Sequence, residues 1–219
     1  PQLKYVGITA TGYDVVDLEA ARQQHVTVTN VPVYGTDSVA QHAVAMMLEL
    51  ARGLRVHHAA VQRGEWSRGE DFCLPSGPII ELSEKTLGIV GLGRIGWAVA
   101  RIAQGMRMRL LANDPGKSGQ VTRDGVTVEC VPMDQLFREA DVVSLHCPLT
   151  EETQHLVNAD RLRQMKSTAF LINTSRGPLI DQQALAEALR THRLAAAALD
   201  VLEQEPPAAD NPLFSEPRC

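Results

Sequence analysis

At 219 residues and 44% hydrophobic content, the chain is long enough for one large domain, or a domain plus part of another, built on a substantial apolar core. Lys and Arg number 21 against 26 Asp and Glu, a net charge of −5, so no basic surplus is present to attract a phosphate backbone and nucleic acid is not an expected partner. No stretch reaches the about 18 uninterrupted apolar residues of a membrane span, and the opening PQLKYVGIT lacks the charged and apolar regions of a signal peptide, so no membrane partner is expected and the expected compartment is the cytoplasm.

KYVGIT reads as a strand leading into ATGYD, DVVDLEAARQQ as a short helix and VTVTN as a second strand closed by Pro32. Asp37 or Ser38 is positioned to cap one long helix through SVAQHAVAMMLELARGLRVHHAAVQRG, whose apolar residues recur at helical period up to Gly64. His57 and His58, neighbours on that helix, point about 100° apart and cannot face one ion, so they read as solvated. From Gly64 to Glu84 the periodicity is lost, which predicts an ordered arm suited to an interface.

A regular alternation follows. TLGIVG, RMRLLAND, VTVECV, DVVSLHCP, STAFLINTS and LAAAALDVL read as strands, and RIGWAVARIAQGM, MDQLFREA, NADRLRQMK and DQQALAEALRTH as helices. Strands apolar on both faces, alternating with helices, predict an α/β fold with a doubly wound parallel sheet, here a Rossmann-type domain over residues 37–219. Residues 1–36 read as the last portion of a second domain that began earlier. The four cysteines, Cys73, Cys130, Cys147 and Cys219, are scattered without CxxC spacing, which argues against a metal site or a disulfide framework.

Gly91, Gly93 and Gly96 form GxGxxG directly between the apolar strand LGIV and the helix RIGWAVARIA. In that context the first glycine allows a tight turn, the second lets backbone approach a pyrophosphate, and the third lets helix and strand pack closely, with free helical N–H groups facing the anion. A glycine-rich turn without a ligand is the alternative. Asp114 ends the next strand 18 positions after Gly96, near the about 20-residue spacing of an acid that receives the adenosine ribose. This favours NAD over NADP: a 2′-phosphate would meet a carboxylate, no arginine directly follows, and Lys117 is the nearest cation. Asp114 as a turn residue before Pro115 stays open.

NTSRGPLID follows another strand, so Ser175, Arg176 and Gly177 are expected at the same sheet edge as the glycine loop. A guanidinium there suits a carboxylate substrate, held in bidentate fashion. A structural arginine paired with Asp181 or Asp200 is the other reading. Finally, AAAALDVL opens into EQEPP, where Pro206 and Pro207 forbid a continuing ladder and leave Glu203 and Glu205 at a strand end.

In order, spacing and flanking residues, GLGRIG with Asp114, LHCPLTEETQHLVN, INTSRGPLID and AALDVLEQEPP resemble the D-isomer-specific 2-hydroxyacid dehydrogenases. TATGYDVVDLEAARQQHVTVTNVPVYGTDSVAQHA is most similar to the glycerate dehydrogenase or hydroxypyruvate reductase branch. The resemblance implies NAD as cofactor and hydride exchange between a D-2-hydroxy acid and a 2-oxo acid. It implies that Arg176 binds substrate and that Glu205 pairs with a catalytic histidine. Arg94, Ile95, Asp114, Cys147, Thr174, Arg176 and Asp200 match the family's NAD contacts, and Thr11 the loop that reaches the cofactor from the substrate domain. The helix from Ser38 and the arm after Gly64 match the family's homodimer interface. Glu203 is expected to be the solvated acid of the pair. None of the seven histidines has the context of the catalytic one, His146 included, so none is assigned; the expectation is a chain lacking both ends of the full enzyme. An NAD(H)-binding sensor or corepressor-like scaffold without turnover is the competing expectation.

Overall fold

The computed structural model describes residues 2–74 and 77–219. The chain divides into two compact units, Pro1–Ser38 and Val39–Cys219. In the first, β1 (Tyr5–Gly7) and β2 (Thr27–Thr29) pair in parallel, with Tyr5 opposite Thr27 and their connection carrying α1 (Leu18–Gln23). Asp17 caps α1 by accepting a hydrogen bond from the Ala20 N–H at 2.9 Å, which explains why the helix starts later than its apolar spacing suggests. No residue of α1 is buried, and Leu3, Tyr5, Tyr13 and Val15 are all exposed.

The expected single helix from Ser38 is two. α2 (Thr36–Arg52) begins one residue before Asp37, and α3 (Leu54–Gln62) follows a break at Gly53, whose φ of +58° is a conformation glycine adopts without steric penalty. The Gly53 N–H closes on the Glu49 carbonyl at 2.8 Å, while the Glu49 carboxylate accepts from the Arg55 N–H at 3.1 Å and so covers an end group of α3. His57 is not solvated as expected: it is half-buried, with Nδ1 2.8 Å from the Gly53 carbonyl across the break. The arm holds one helical turn, α4 (Glu65–Arg68), and the Trp66 indole donates to the Phe72 carbonyl at 3.0 Å. Residues 75 and 76 of the arm lie outside the described residues.

The rest of the second unit is the expected doubly wound sheet. Its strands are β3 (Thr86–Val90), β4 (Arg109–Asn113), β5 (Gly119–Arg123), β6 (Val126–Cys130), β7 (Val142–Leu145), β8 (Phe170–Asn173) and β9 (Ala196–Leu199), in spatial order β5-β6-β4-β3-β7-β8-β9. All neighbours are parallel except β5, which pairs antiparallel with β6 at one edge. β5 was absent from the predicted elements although its signal is local: Asp124 and Gly125 both have positive φ, +51° and +78°, as a two-residue hairpin loop of the primed type requires.

β3, β7 and β8 are buried along their whole length, because α2 and α5 (Arg94–Gly105) cover one face of the sheet and α6 (Met133–Glu139), α7 (Ala159–Gln164) and α8 (Gln182–Arg190) the other. Alternation sorts the side chains. Leu87 and Ile89 of β3 join Met47, Trp97 and Val99, whereas Val90 joins Leu111, Leu136 and Phe137. Gly88 faces α6 so closely that an added Cβ would lie 2.6 Å from a Leu136 methyl carbon, so the missing side chain sets that packing distance.

Candidate functional site

Register brings the motifs together. Val90 is opposite both Asn113 and Leu145, Leu145 is opposite Asn173, and Asn173 is opposite Leu199, so five parallel strands end level with one another. The loops that leave them carry Gly91–Arg94, Asp114, Cys147, Thr174–Arg176 and Asp200–Glu205 along one edge of the sheet. The strand order reverses between β3 and β7, which is where a crevice opens in this topology. Thr11 belongs to the other unit, where its carbonyl accepts from the Asn30 side chain at 2.8 Å.

The glycine loop has the shape its spacing predicts. Gly91 has φ +93°, and a Cβ on it would fall 2.7 Å from the backbone of His146 and Cys147, so this turn requires glycine on both counts. At Gly96 a Cβ would meet the Gly91 carbonyl oxygen at 2.2 Å, which is how closely the first turn of α5 sits on the loop. Around Gly93 an added Cβ meets nothing within 4 Å. Gly93 is also the N-cap of α5 and offers no side-chain acceptor, so the helix presents its first N–H groups to an open, exposed space. That space suits a pyrophosphate.

Asp114 is half-buried and receives the Leu92 N–H on Oδ2 at 2.7 Å and the Lys117 ammonium on Oδ1 at 2.6 Å. It therefore ties the strand end of β4 to the glycine loop. Thr174 supplies the clearest sign of something further to bind: its Oγ1 is buried and has no hydrogen-bond partner among the described residues. Ser175 Oγ donates to the Cys147 carbonyl at 2.6 Å, and the Asn173 side chain accepts from the Ser175 N–H and donates to the Arg176 carbonyl. The loop under Arg176 is thus held by three side-chain bonds, and the guanidinium Nη1 lies 2.9 Å from the Ser175 carbonyl. Asp181 caps α8 through the Ala184 N–H, and Asp200 lies 3.3 Å from His42 Nε2 of α2.

Beyond β9, a cleft of about 640 Å³ is lined by Asp200, Leu202, Glu205, Pro207 and Phe214 among others. Glu205 Oε1 accepts from the Leu202 N–H at 2.9 Å, so the loop closes on the carboxylate. Glu203 is exposed, and its carboxylate meets His155 Nε2 at 2.9 Å in a surface pair that spans 48 positions of sequence. Neither His42 nor His155 stood out in the sequence, because nothing local marks a histidine whose partner is on another element.

Two groups beside β7 are poised to stay neutral. Burial pushes the His146 imidazole down to about 4, and its Nε2 lies 2.8 Å from Ser144 Oγ. Burial pushes the Cys147 thiol up to about 11, which rules it out as a ready thiolate. The edge as a whole can hold an anionic, ribose-bearing cofactor and an acid.

Residues 44–219 match the family described as D-isomer specific 2-hydroxyacid dehydrogenase, NAD binding domain. The chain is 42% identical over 219 residues to a hydroxypyruvate reductase of Blautia hydrogenotrophica, covering all of this chain and 67% of that protein. It is 38% identical over 211 residues to a glycerate dehydrogenase of Methylorubrum extorquens, covering 96% of this chain and 64% of the relative. Among solved structures, NAD-dependent formate dehydrogenase from Staphylococcus aureus in complex with NAD matches with a TM-score of 0.86 at 36% identity, over 99% of this chain and 63% of that one. The chain thus spans about two thirds of the length of these three relatives.

Proposed function

Because the chain belongs to the D-isomer-specific 2-hydroxyacid dehydrogenase family and carries its NAD-binding domain, we propose that it is the greater part of an NAD-dependent enzyme that interconverts a D-2-hydroxy acid and a 2-oxo acid of the glycerate–hydroxypyruvate or glyoxylate type. Residues 1–36 are read as a portion of the substrate domain and 37–219 as the NAD-binding domain with its dimerisation helix and arm. The observation that carries the reading is the alignment of the glycine loop, Asp114, Thr174–Arg176 and Asp200–Glu205 along one sheet edge.

In this reading NAD, when bound, supplies or accepts the hydride. The first turn of α5, with Gly91, Gly93, Arg94, Ile95 and Gly96, receives the pyrophosphate, and Asp114 the ribose. Cys147, Thr174 and Asp200 line the rest of the cofactor site, where Thr174 Oγ1 is a buried polar atom with no hydrogen-bond partner among the described residues. Arg176 touches both cofactor and substrate: its planar fork orients the carboxylate and offsets charge that develops on the carbonyl oxygen. Glu205 is the carboxylate that keeps a catalytic histidine protonated, a role to which none of the seven histidines of these residues is assigned.

The deciding experiment is a panel of 2-oxo acids assayed with NADH on the full-length protein. Turnover of hydroxypyruvate or glyoxylate is expected. NADH binding with no turnover of any acid in the panel would replace this reading with a redox sensor or corepressor-like scaffold.

A homodimer is part of the proposal. Leu54, Val56, Val61, Trp66, Phe72 and Ile79 are all exposed on α3, α4 and the arm, with Phe72 at 86%, an apolar surface that a second copy would cover. Sedimentation at micromolar concentration should give a dimer, and Leu54→Asp combined with Phe72→Asp a monomer; a wild-type monomer would refute it. The proposed compartment is the cytoplasm, where scattered free thiols such as these stay reduced; none of the described helices is long and apolar enough to cross a membrane.

A further inference from the structure

The run Asp114-Pro115-Gly116-Lys117 makes a tight turn. Pro115 sits at its first central position, Gly116 at the second with φ +78°, and the Lys117 N–H returns to the Asp114 carbonyl at 3.1 Å. The turn folds the lysine back over the acid that precedes it. Lys117 Nζ lies 2.6 Å from Asp114 Oδ1 and 3.4 Å from the Leu92 carbonyl of the glycine loop. The other carboxylate oxygen is taken by the Leu92 N–H at 2.7 Å.

This is not an ordinary surface pair. The two side chains are 17% and 34% exposed for Asp114 and Lys117, so water screens their attraction less than it would on an open face. The ammonium carries three protons and meets two acceptors among the described residues. We propose that Lys117 is a specificity-determining residue, which lowers the barrier to NADP by offsetting the charge of Asp114 where the 2′ position of the ribose would lie. The inference rests on the reading of Asp114 as the ribose acid.

The physics is simple. An unpaired carboxylate opposite a 2′-phosphate repels it, whereas a carboxylate already paired with an ammonium presents little net charge, and the ammonium can turn to the phosphate. The ribose hydroxyls of NAD still find lone pairs on Asp114, since a carboxylate accepts more than two hydrogen bonds. Lys117 should therefore matter far more to NADPH than to NADH.

The test is nucleotide binding to the full-length protein, read by fluorescence titration with NADH and NADPH at low salt. In Lys117→Ala the ratio of the NADPH to the NADH dissociation constant is expected to rise about tenfold, the size of one charge interaction at partial exposure. Lys117→Arg should keep the ratio near the wild-type value, and 0.5 M salt should shrink the effect of the alanine. A ratio in Lys117→Ala within twofold of wild type overturns the proposal, as does a parallel loss of both nucleotides. Asp114→Ala separates the two levels, because it should lower the ratio about tenfold. If it does and Lys117→Ala does not move the ratio, only the lysine assignment fails; if Asp114→Ala leaves the ratio unmoved, the ribose assignment fails and the lysine proposal with it.

Discussion

Arg176→Ala in the full-length protein is expected to lower kcat/KM for a 2-oxo acid by about 10³-fold or more, since it removes both the clamp on the substrate carboxylate and a positive charge beside the developing alkoxide. Arg176→Lys should recover at most about tenfold of that loss, because an ammonium restores charge without the planar fork. The surroundings favour so large an effect. The Arg176 carbonyl, the Ser175 N–H and the Ser175 hydroxyl are each engaged, by Asn173 and by the Cys147 carbonyl. The guanidinium is thereby carried on a loop with little freedom. Steady-state kinetics decide the matter: an alanine variant within tenfold of wild type would remove Arg176 from the substrate site.

The second large effect is expected at the neighbouring residue and for a different reason. A Cβ on Gly177 would lie 1.8 Å from the Leu202 carbonyl oxygen and 2.5 Å from the Glu203 nitrogen, distances no side-chain rotation can relieve because both atoms are backbone. Gly177→Ala must push apart the Arg176 loop and the loop that carries Glu205. A destabilisation of about 3 kcal/mol or more is expected, which for a domain of this size corresponds to a fall in Tm of roughly 6–12 °C. Gly93→Ala is the informative contrast. Its Cβ meets nothing within 4 Å, so Tm should shift by less than about 2 °C, while the methyl group enters the space assigned to the pyrophosphate and NADH affinity should fall about tenfold or more. Calorimetry together with NADH titration reads both; equal Tm for Gly177→Ala and wild type would show that the two loops are not wedged as described.

The close contact at Gly177 also shows how the site is assembled. Leu202 stands under Gly177, its N–H is bonded to Glu205, and Glu203 is bonded to His155, whose own N–H reaches the Pro178 carbonyl at 2.8 Å. Three loops leaving β7, β8 and β9 are therefore joined at one place. The residue that makes this possible is a glycine whose φ is ordinary; what it supplies is the absence of a side chain.

Much of the fold is legible in the sequence. Strand and helix periods gave the alternation, and with it the parallel sheet, because β3, β7 and β8 are buried on both faces and so are apolar at successive positions. GxGxxG, Asp114 and the run from Asn173 to Gly177 were legible as chemistry because each follows a strand directly, and parallel strands all deliver their ends to one edge. Two local features are weaker signals. Asp124-Gly125 signals the hairpin that makes β5, and Gly53 interrupts what otherwise reads as one helix; in both cases a strong periodic or polar neighbourhood outweighed the turn residue.

Local patterns in the sequence account for most of the elements and for the residue types at their ends, since both arise from interactions within a few residues: alternation along a strand, a cap, a turn. Which end groups are already committed to one another follows from the packing of the sheet. His42 with Asp200, His155 with Glu203, and Gly177 against Leu202 join residues far apart along the chain. Such pairs depend on strand order and register, which no local pattern encodes; they form because the sheet brings to within hydrogen-bond or van der Waals distance groups that the chain itself keeps apart.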